Sequence, residues 1–523
     1  MIRTNPTAEQ ARTEPTIVAG SGRVVPSWVL LALVCLGQFM VVLDISIVNV
    51  ALPSIQAELG FTASGLQWVV NAYTLTFAGF LLLGGRAADL FGRRRMFLAG
   101  LGMFTAASFV GGLAQSPAML IGARALQGLG AAVLAPATLT ILTTNFPEGP
   151  ARARALGVWS AVAAAGASAG ALLGGVLTEL ISWRWILFVN VPVGVLAVIA
   201  ARTFLPESRM DSQHRSLDVA GALTVTGGLV ALVYAIVRIQ THSWTSGQTL
   251  IPLGVGLTLL CGFLAIQTRV AKAPLMPLRI FRSRPLAAGN AYLMLLFAGM
   301  FGTWYFETLF MQRVLGYSPL QTGLAFLPQT ILIAAGSQIA SRLVSRIGSR
   351  PILLVGTALS ATGVAWLSGI TPGSAFLGDL LGPFVLVGLG MGLSVTPATV
   401  VATAGVPRED AGLASGLLNT SRFIGASIGL AVLATVAANR TTGLLERAGS
   451  TPSSVAAATT IGYARAIEIG VIILLVAWIV AALAIPPLRR SPVSQTEPLG
   501  EMDATPEPVP GADLELAEEV ECA

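Results

Sequence analysis

Fourteen apolar stretches of about twenty residues each run through the chain, and nothing else constrains its fold as strongly. They fall at 28–50, 65–84, 96–115, 118–142, 154–178, 185–205, 218–238, 249–269, 286–309, 320–342, 351–370, 378–402, 412–436 and 464–486. About twenty apolar residues is the length at which a helix crosses a hydrocarbon layer roughly 30 Å thick. In lipid each backbone N–H and C=O must find its partner inside the protein, which leaves helices rather than lone strands. Only 11% of the residues are charged, against about 25% in soluble domains, too few to cover a water-facing globule. The chain therefore reads as an all-α integral membrane protein with 14 transmembrane helices, and an even count puts both termini on one side.

The basic residues set its orientation. Of the 31, 23 lie in the tails and loops on the side of the termini. Six lie opposite: Arg184, Arg238, Arg313, Arg440, Arg447 and Arg465. Arg124 and Arg422 fall inside spans. An excess of this size marks the cytoplasmic face, so both termini are expected in the cytoplasm and the spans in the cell (inner) membrane. Topology thus accounts for the sequence pI of about 9.7, with no nucleic acid needed as partner. The expected surroundings are the lipid bilayer.

The remaining chemistry-bearing residues are sparse. Cys35, Cys261 and Cys522 show no pairing or ligand spacing, and His214 and His242 sit in separate loops, so no metal site is expected. A phosphate-binding loop needs Gly-Lys followed by Ser or Thr, whereas the sole lysine, Lys272, follows Ala271. No cofactor and no enzymatic activity are expected, and the energy for any transport must come from an ion gradient or another subunit. The polar first 25 residues hold Pro6 and Pro15 and do not read as a signal peptide. After Ser494 come nine acidic residues and no basic ones, a composition that cannot bury a core and reads as a disordered tail.

The chain also repeats itself. Gly166-Ala167-Ser168-Ala169-Gly170 in the fifth span recurs as Gly425-Ala426-Ser427-Ile428-Gly429 in the thirteenth. Gly128-Leu129-Gly130 and Pro136-Ala137-Thr138 in the fourth recur as Gly388-Leu389-Gly390 and Pro397-Ala398-Thr399 in the twelfth. Arg86 to Arg94 is echoed at Arg342 to Arg350, with Gly92 matching Gly348. The span number shifts by eight each time, which predicts two parallel six-helix halves with two helices inserted between them. The expected divisions are an N-tail (1–27), an N-terminal half (28–205), the inserted pair with its flanking loops (206–284), a C-terminal half (285–486) and the acidic tail (487–523).

A charge inside a span is costly and is by default functional. Asp44 lies about 24 Å along the first span from Trp28, and Arg124 about 9 Å into the fourth from the other side, so the two are expected at one depth and able to pair. Pairing favours the charged carboxylate and burial opposes it; a group poised between the two can load and release a proton, while the bland alternative is a static ion pair. Glu307, beside Trp304 and Tyr305 near the outer end of the ninth span, suits a lipophilic cation or belongs to an interfacial aromatic belt. Arg422 lies near the middle of the thirteenth span, as a cavity or a packing residue. The segment from Gly85 and Arg86 through Asp89, Gly92, Arg93 and Arg94 reads as a cytoplasmic loop with a tight turn at Gly92. There Asp89 caps the next helix or pairs with the arginines. Gly166, Gly170 and Gly174 recur every four residues on one face and let another helix approach closely.

From about residue 28 to 486 these segments resemble the major facilitator superfamily, and within it the fourteen-helix drug:proton antiporters. Residues 85–95 resemble the superfamily's motif A. Arg124 with Gln127-Gly128 is similar to motif B, whose arginine is implicated in proton transfer. Asp44 through Pro53, Trp183-Arg184-Trp185 and Asn190-Val191-Pro192 resemble segments of the fourteen-helix branch. Two positions depart: Ala171 follows Gly170 where the antiporter motif has proline, and Ser345 takes the acidic position of the second motif A. The resemblance implies proton-coupled export of small lipophilic, often cationic, drugs or antibiotics by alternating access. Its partners would be a small-molecule substrate and protons, with residues 85–95 gating the cytoplasmic side. Alternatives are an exporter of an endogenous metabolite, lipid or siderophore, an importer, or a non-transporting sensor. A periplasmic adaptor is possible, but no residue indicates one.

Overall fold

The computed structural model describes residues 16–18, 24–146, 149–207, 217–271, 274–407, 410–449 and 451–486. The acidic tail and most of the N-tail lie outside them. Among the described residues, fourteen helices are long and apolar enough to cross a membrane: α1 (Ser27–Leu59), α2 (Ala63–Phe91), α3 (Arg93–Gly112), α4 (Pro117–Asn145), α5 (Arg154–Leu180), α6 (Trp185–Phe204), α7 (Val219–Arg238), α8 (Gly247–Val270), α9 (Arg284–Arg313), α10 (Pro319–Ile347), α11 (Ser349–Leu367), α12 (Phe376–Thr403), α13 (Gly412–Arg447) and α14 (Pro452–Ala484). Before them, Thr16–Val18 pairs antiparallel with Val24–Pro26 in a two-stranded ribbon. The face on which α1 begins, where the arginines concentrate, is called the basic face below.

Several helices outrun their apolar stretches. α1 continues past Pro53 to Leu59 and stops at Gly60, whose φ of 69° permits a left-handed cap donating to Gln56 O. α13 runs on to Arg447 and α14 begins already at Pro452, both extending into polar sequence away from the basic face; Arg465 and Glu468, one turn apart just inside the apolar stretch of α14, pair at 2.6 Å. Hydropathy marks where apolar residues end; a helix ends only where capping or a breaker intervenes. Asp44 consequently sits near the middle of α1.

The two halves share one packing scheme. A Cβ on Gly166 or Gly170 would press on the backbone of α1 at Phe39 and Leu43; on Gly425 or Gly429 it would press on α9 at Met294 and Ala298. Gly128 lies against Tyr73 O of α2 and Gly388 against Gln329 O of α10. Small residues let helices meet at backbone distance, which lipid-embedded bundles exploit because hydrophobicity gives no drive between helices there. Helices α7 and α8 meet through Gly228 and Gly256. α7 also packs on α2 and α13, with the Trp68 and Tyr234 rings 6.3 Å apart and Thr435 Oγ1 donating to Ile236 O.

The halves touch along α2 and α13, where Thr74 and Ser427 hydroxyls lie 2.6 Å apart and the Phe77 and Phe423 rings 4.6 Å. α5 and α10 meet chiefly at the end away from the basic face. There Leu320 N donates to Glu179 Oε2 (2.9 Å), and Gly175 and Gly323 bring the two backbones together. Gln312 of α9 donates to Val50 O of α1 at 2.7 Å. The bundle is thus closed between its halves on the face opposite the basic one.

Candidate functional site

Asp44 is fully enclosed, and both of its carboxylate oxygens are engaged. Oδ1 accepts from Gln127 Nε2 (3.0 Å) and Asn190 Nδ2 (3.2 Å), and Oδ2 accepts from Arg124. Arg124 and Gln127 stand three residues apart on α4 and share a face, which lets Arg124 Nη1 also donate to Gln127 Oε1 at 3.0 Å. Arg124 Nε donates to Val69 O (3.0 Å), and its guanidinium lies 4.5 Å from the centre of the Tyr73 ring. Gln127 Nε2 further donates to Ser108 Oγ at 2.7 Å. Five helices, α1, α2, α3, α4 and α6, thereby converge on one carboxylate. Of this shell, Ser108 and Tyr73 carry no sequence signal beyond being polar inside a span, and Asn190 entered only with its Asn-Val-Pro motif.

The intramembrane charges of the C-terminal half stay apart. Glu307 is buried on α9, and among the described residues neither of its oxygens accepts a hydrogen bond. The Gln329 amide of α10 lies beside it, yet Gln329 Nε2 is unpartnered as well. Trp304 packs edge-on against Phe301 (6.2 Å), while Tyr305 is buried with Phe306, whose ring lies 5.2 Å from Tyr463 of α14. Arg422 is half-buried on α13 and donates to Thr399 Oγ1 of α12 (2.8 Å) and Asn419 Oδ1 (3.5 Å), with its guanidinium carbon 5.7 Å from the Phe297 ring of α9. Phe297 precedes Glu307 by ten residues, about 15 Å along a helix, so the two charges do not meet.

The segment 85–95 departs from the expected loop. α2 stays helical through Phe91, because Ala87 and Leu90 bury three residues apart on one helix face, and only Gly92, at φ 104°, breaks it before α3 begins at Arg93. Arg86 is accordingly a helical residue following Gly85. Asp89 pairs with Arg93 across the turn at 3.5 Å and does not cap α3. The group at that helix start is Glu207, which follows α6: its Oε1 accepts from Arg94 N at 3.2 Å, and its Oε2 lies 3.6 Å from Arg95 Nε. A Cβ on Gly92 would crowd the Glu207 carboxylate. On the far face, Arg184 donates to Glu58 Oε1 (2.7 Å), Gly112 O (3.0 Å) and Ala114 O (2.6 Å), and Trp183 Nε1 donates to Glu58 Oε2 at 2.6 Å. That cluster ties α1, the α3–α4 turn and the α5–α6 junction together.

A repeated pair of six-helix units enclosing a buried acid–guanidinium pair defines a class of membrane transporter. The major facilitator superfamily profile matches residues 34–430, and the chain belongs to that superfamily, whose members move small molecules across membranes. It is 47% identical over 415 residues to a cephamycin export protein of Amycolatopsis lactamdurans, covering 79% of this chain and 85% of that one. It is 40% identical over 457 residues to a puromycin resistance protein of Streptomyces alboniger, covering 87% and 90%. Its fold superposes on a bacterial homologue of the human lysosomal transporter Spinster, in an inward-facing, occupied conformation. The TM-score there is 0.62 at 18% identity, over 88% of this chain and 96% of that one.

Proposed function

We propose that the protein exports small amphipathic drugs or antibiotics across the cell membrane in exchange for protons, with the basic face and both termini in the cytoplasm. The observation that carries this reading is the enclosure of Asp44. Its charge is held by one guanidinium and two amides from other helices. Protonating it would cancel the attraction to Arg124 and loosen α1 from α4, converting a proton into a change of helix packing. An acid whose every partner stands on a different helix from its own is well placed to couple titration to alternating access.

The names of the two relatives support export of antibiotics, and the fold and the closure on the far face suit a transporter resting open toward the cytoplasm. Glu307, unpartnered and close to the far end of α9, would meet the cationic group of a substrate once that side opens. The turn at 85–95, pinned by Glu207, would steady the cytoplasmic side of the N-terminal half while α10 and α5 separate. Gly166, Gly170 and Gly174 would serve as the close contact about which α5 moves on α1.

The test is substrate-induced proton release in inverted membrane vesicles, with ethidium and puromycin as probes, for the native protein and for Asp44→Asn. Flux and proton release should both fall at least about a hundredfold in the variant, with unchanged amounts of protein in the membrane. Native flux without a proton signal would sink proton coupling; a variant that still couples would leave Asp44 a structural residue.

A further inference from the structure

We propose that Arg422 anchors the anionic group of an amphipathic substrate, a carboxylate, sulfonate or phosphate, on the basic-face side of the C-terminal half. The inference rests on the transporter reading and adds a substrate class to it. Arg422 lies ten residues into α13, about 15 Å from that helix's start. Helical side chains lean toward the N-terminus, which carries the guanidinium back toward the basic face and to Thr399, four residues from the end of α12.

Its partners are all neutral. It has the Thr399 hydroxyl at 2.8 Å, the Asn419 carbonyl at 3.5 Å and the Phe297 ring, and among the described residues it forms no ion pair. Its Nε is buried and has no hydrogen-bond partner among the described residues. Asp44 is already held by Arg124, and Glu307 is about 15 Å further along α9. A guanidinium offers five donors in a fixed fork, and an unneutralised cation inside a membrane span is expensive to keep. The side chain is nevertheless only partly buried, between α9 and α12, in a bundle closed at its other end. An anion entering from the basic face finds a cation with donors to spare, and Phe297 offers an apolar surface for the rest of the molecule. Bidentate pairing with a planar carboxylate suits arginine in particular.

The experiment is equilibrium binding to the full-length protein in phosphatidylcholine nanodiscs. The probes are benzylpenicillin (an amphipathic carboxylate), its neutral methyl ester, and puromycin. The native protein should bind the acid roughly tenfold or more tightly than the ester, the factor typical of a hydrogen bond to a charged group. Arg422→Gln should erase that preference while leaving the ester and puromycin within about twofold, and Arg422→Lys should keep part of it. Equal binding of acid and ester by the native protein, or equal loss of all three probes in Arg422→Gln, would overturn the proposal and leave Arg422 a packing residue. Phosphatidylglycerol added to the discs separates the two sources of anion: displacement of the acid by lipid, dependent on Arg422, would assign the same subsite to lipid headgroups. Binding with this pattern but without flux in vesicles would refute the transporter reading and leave the anion subsite standing.

Discussion

Gly170 in α5 presses on α1 at Leu43, and Gly429 in α13 presses on α9 at Ala298. The next residue along each contacted helix is where the halves part: Asp44 in one, Gly299 in the other. The same register, carried by Gly128 and Gly388, sets Arg124 against Phe384 and Gln127 against Val387. Where the N-terminal half joins α1 to α6 through Asp44 and Asn190, the C-terminal half brings α9 and α14 together through Gly299 and Gly470. Packing register is thus common to both halves, while polarity is not. One half concentrates its intramembrane charge in a neutralised, fully bonded knot; the other holds Glu307 and Arg422 apart with neutral neighbours. Backbone contact at glycine tolerates almost any neighbouring side chain, so a repeat can keep its packing and diverge in its chemistry.

The largest expected effect tests the knot. Arg124→Ala leaves Asp44 enclosed and unpaired, which should cost about 3–5 kcal/mol, read as a lowered thermal midpoint in detergent. Giving the N-terminal half the C-terminal residues together, Asp44→Gly with Arg124→Phe and Gln127→Val, should cost less than that single change, because no charge is left stranded. It should still abolish proton-coupled flux. A triple variant less stable than Arg124→Ala would mean that the comparison between halves misplaces the equivalent positions.

Next come the glycines. Gly128→Ala and Gly388→Ala each set a methyl against a backbone carbonyl of α2 or α10, and each should cost about 1–3 kcal/mol. A cost at one position with none measurable at the other would break the shared-packing half of the comparison. Gly92→Ala and Gly348→Ala place a side chain at φ 104° and 84° with ψ 132° and 168°, backbone that only glycine adopts readily; about 1–3 kcal/mol is expected for each. Gly92→Ala should be the worse of the pair by the crowding of Glu207, and Glu207→Ala should remove that excess in the double variant.

The smallest effect is expected at Glu307. Replacing Arg124 strands a charge, but Glu307→Gln removes an acid that already lacks hydrogen bonds, so stability should change by under about 1 kcal/mol and can rise. A drop comparable to that of Arg124→Ala would show that Glu307 is satisfied after all, by the Gln329 amide beside it or by a partner outside the protein, and would erase the contrast between the two acids.

Much of this architecture is legible in the sequence alone. Fourteen apolar runs set the number of spans, the arginine distribution predicts a face, and the glycine echoes reveal the repeat and its shift of eight. Asp44 and Arg124 stand out because a charge has no cheap place in lipid. These signals are local: hydropathy, charge and spacing along a helix are properties of a few consecutive residues.

What only the tertiary structure decided is which of those residues meet. Glu207 stands at the start of α3, more than a hundred residues away in the chain, in the place expected of Asp89. Asn190 and Ser108 complete the shell around Asp44, while Glu307 and Arg422, equally charged and equally improbable in lipid, do not find each other. A hydrogen-bond partner depends on the rotation of each helix about its axis and on where neighbouring backbones cross. Both are fixed by packing across the whole bundle, and no window of sequence contains them.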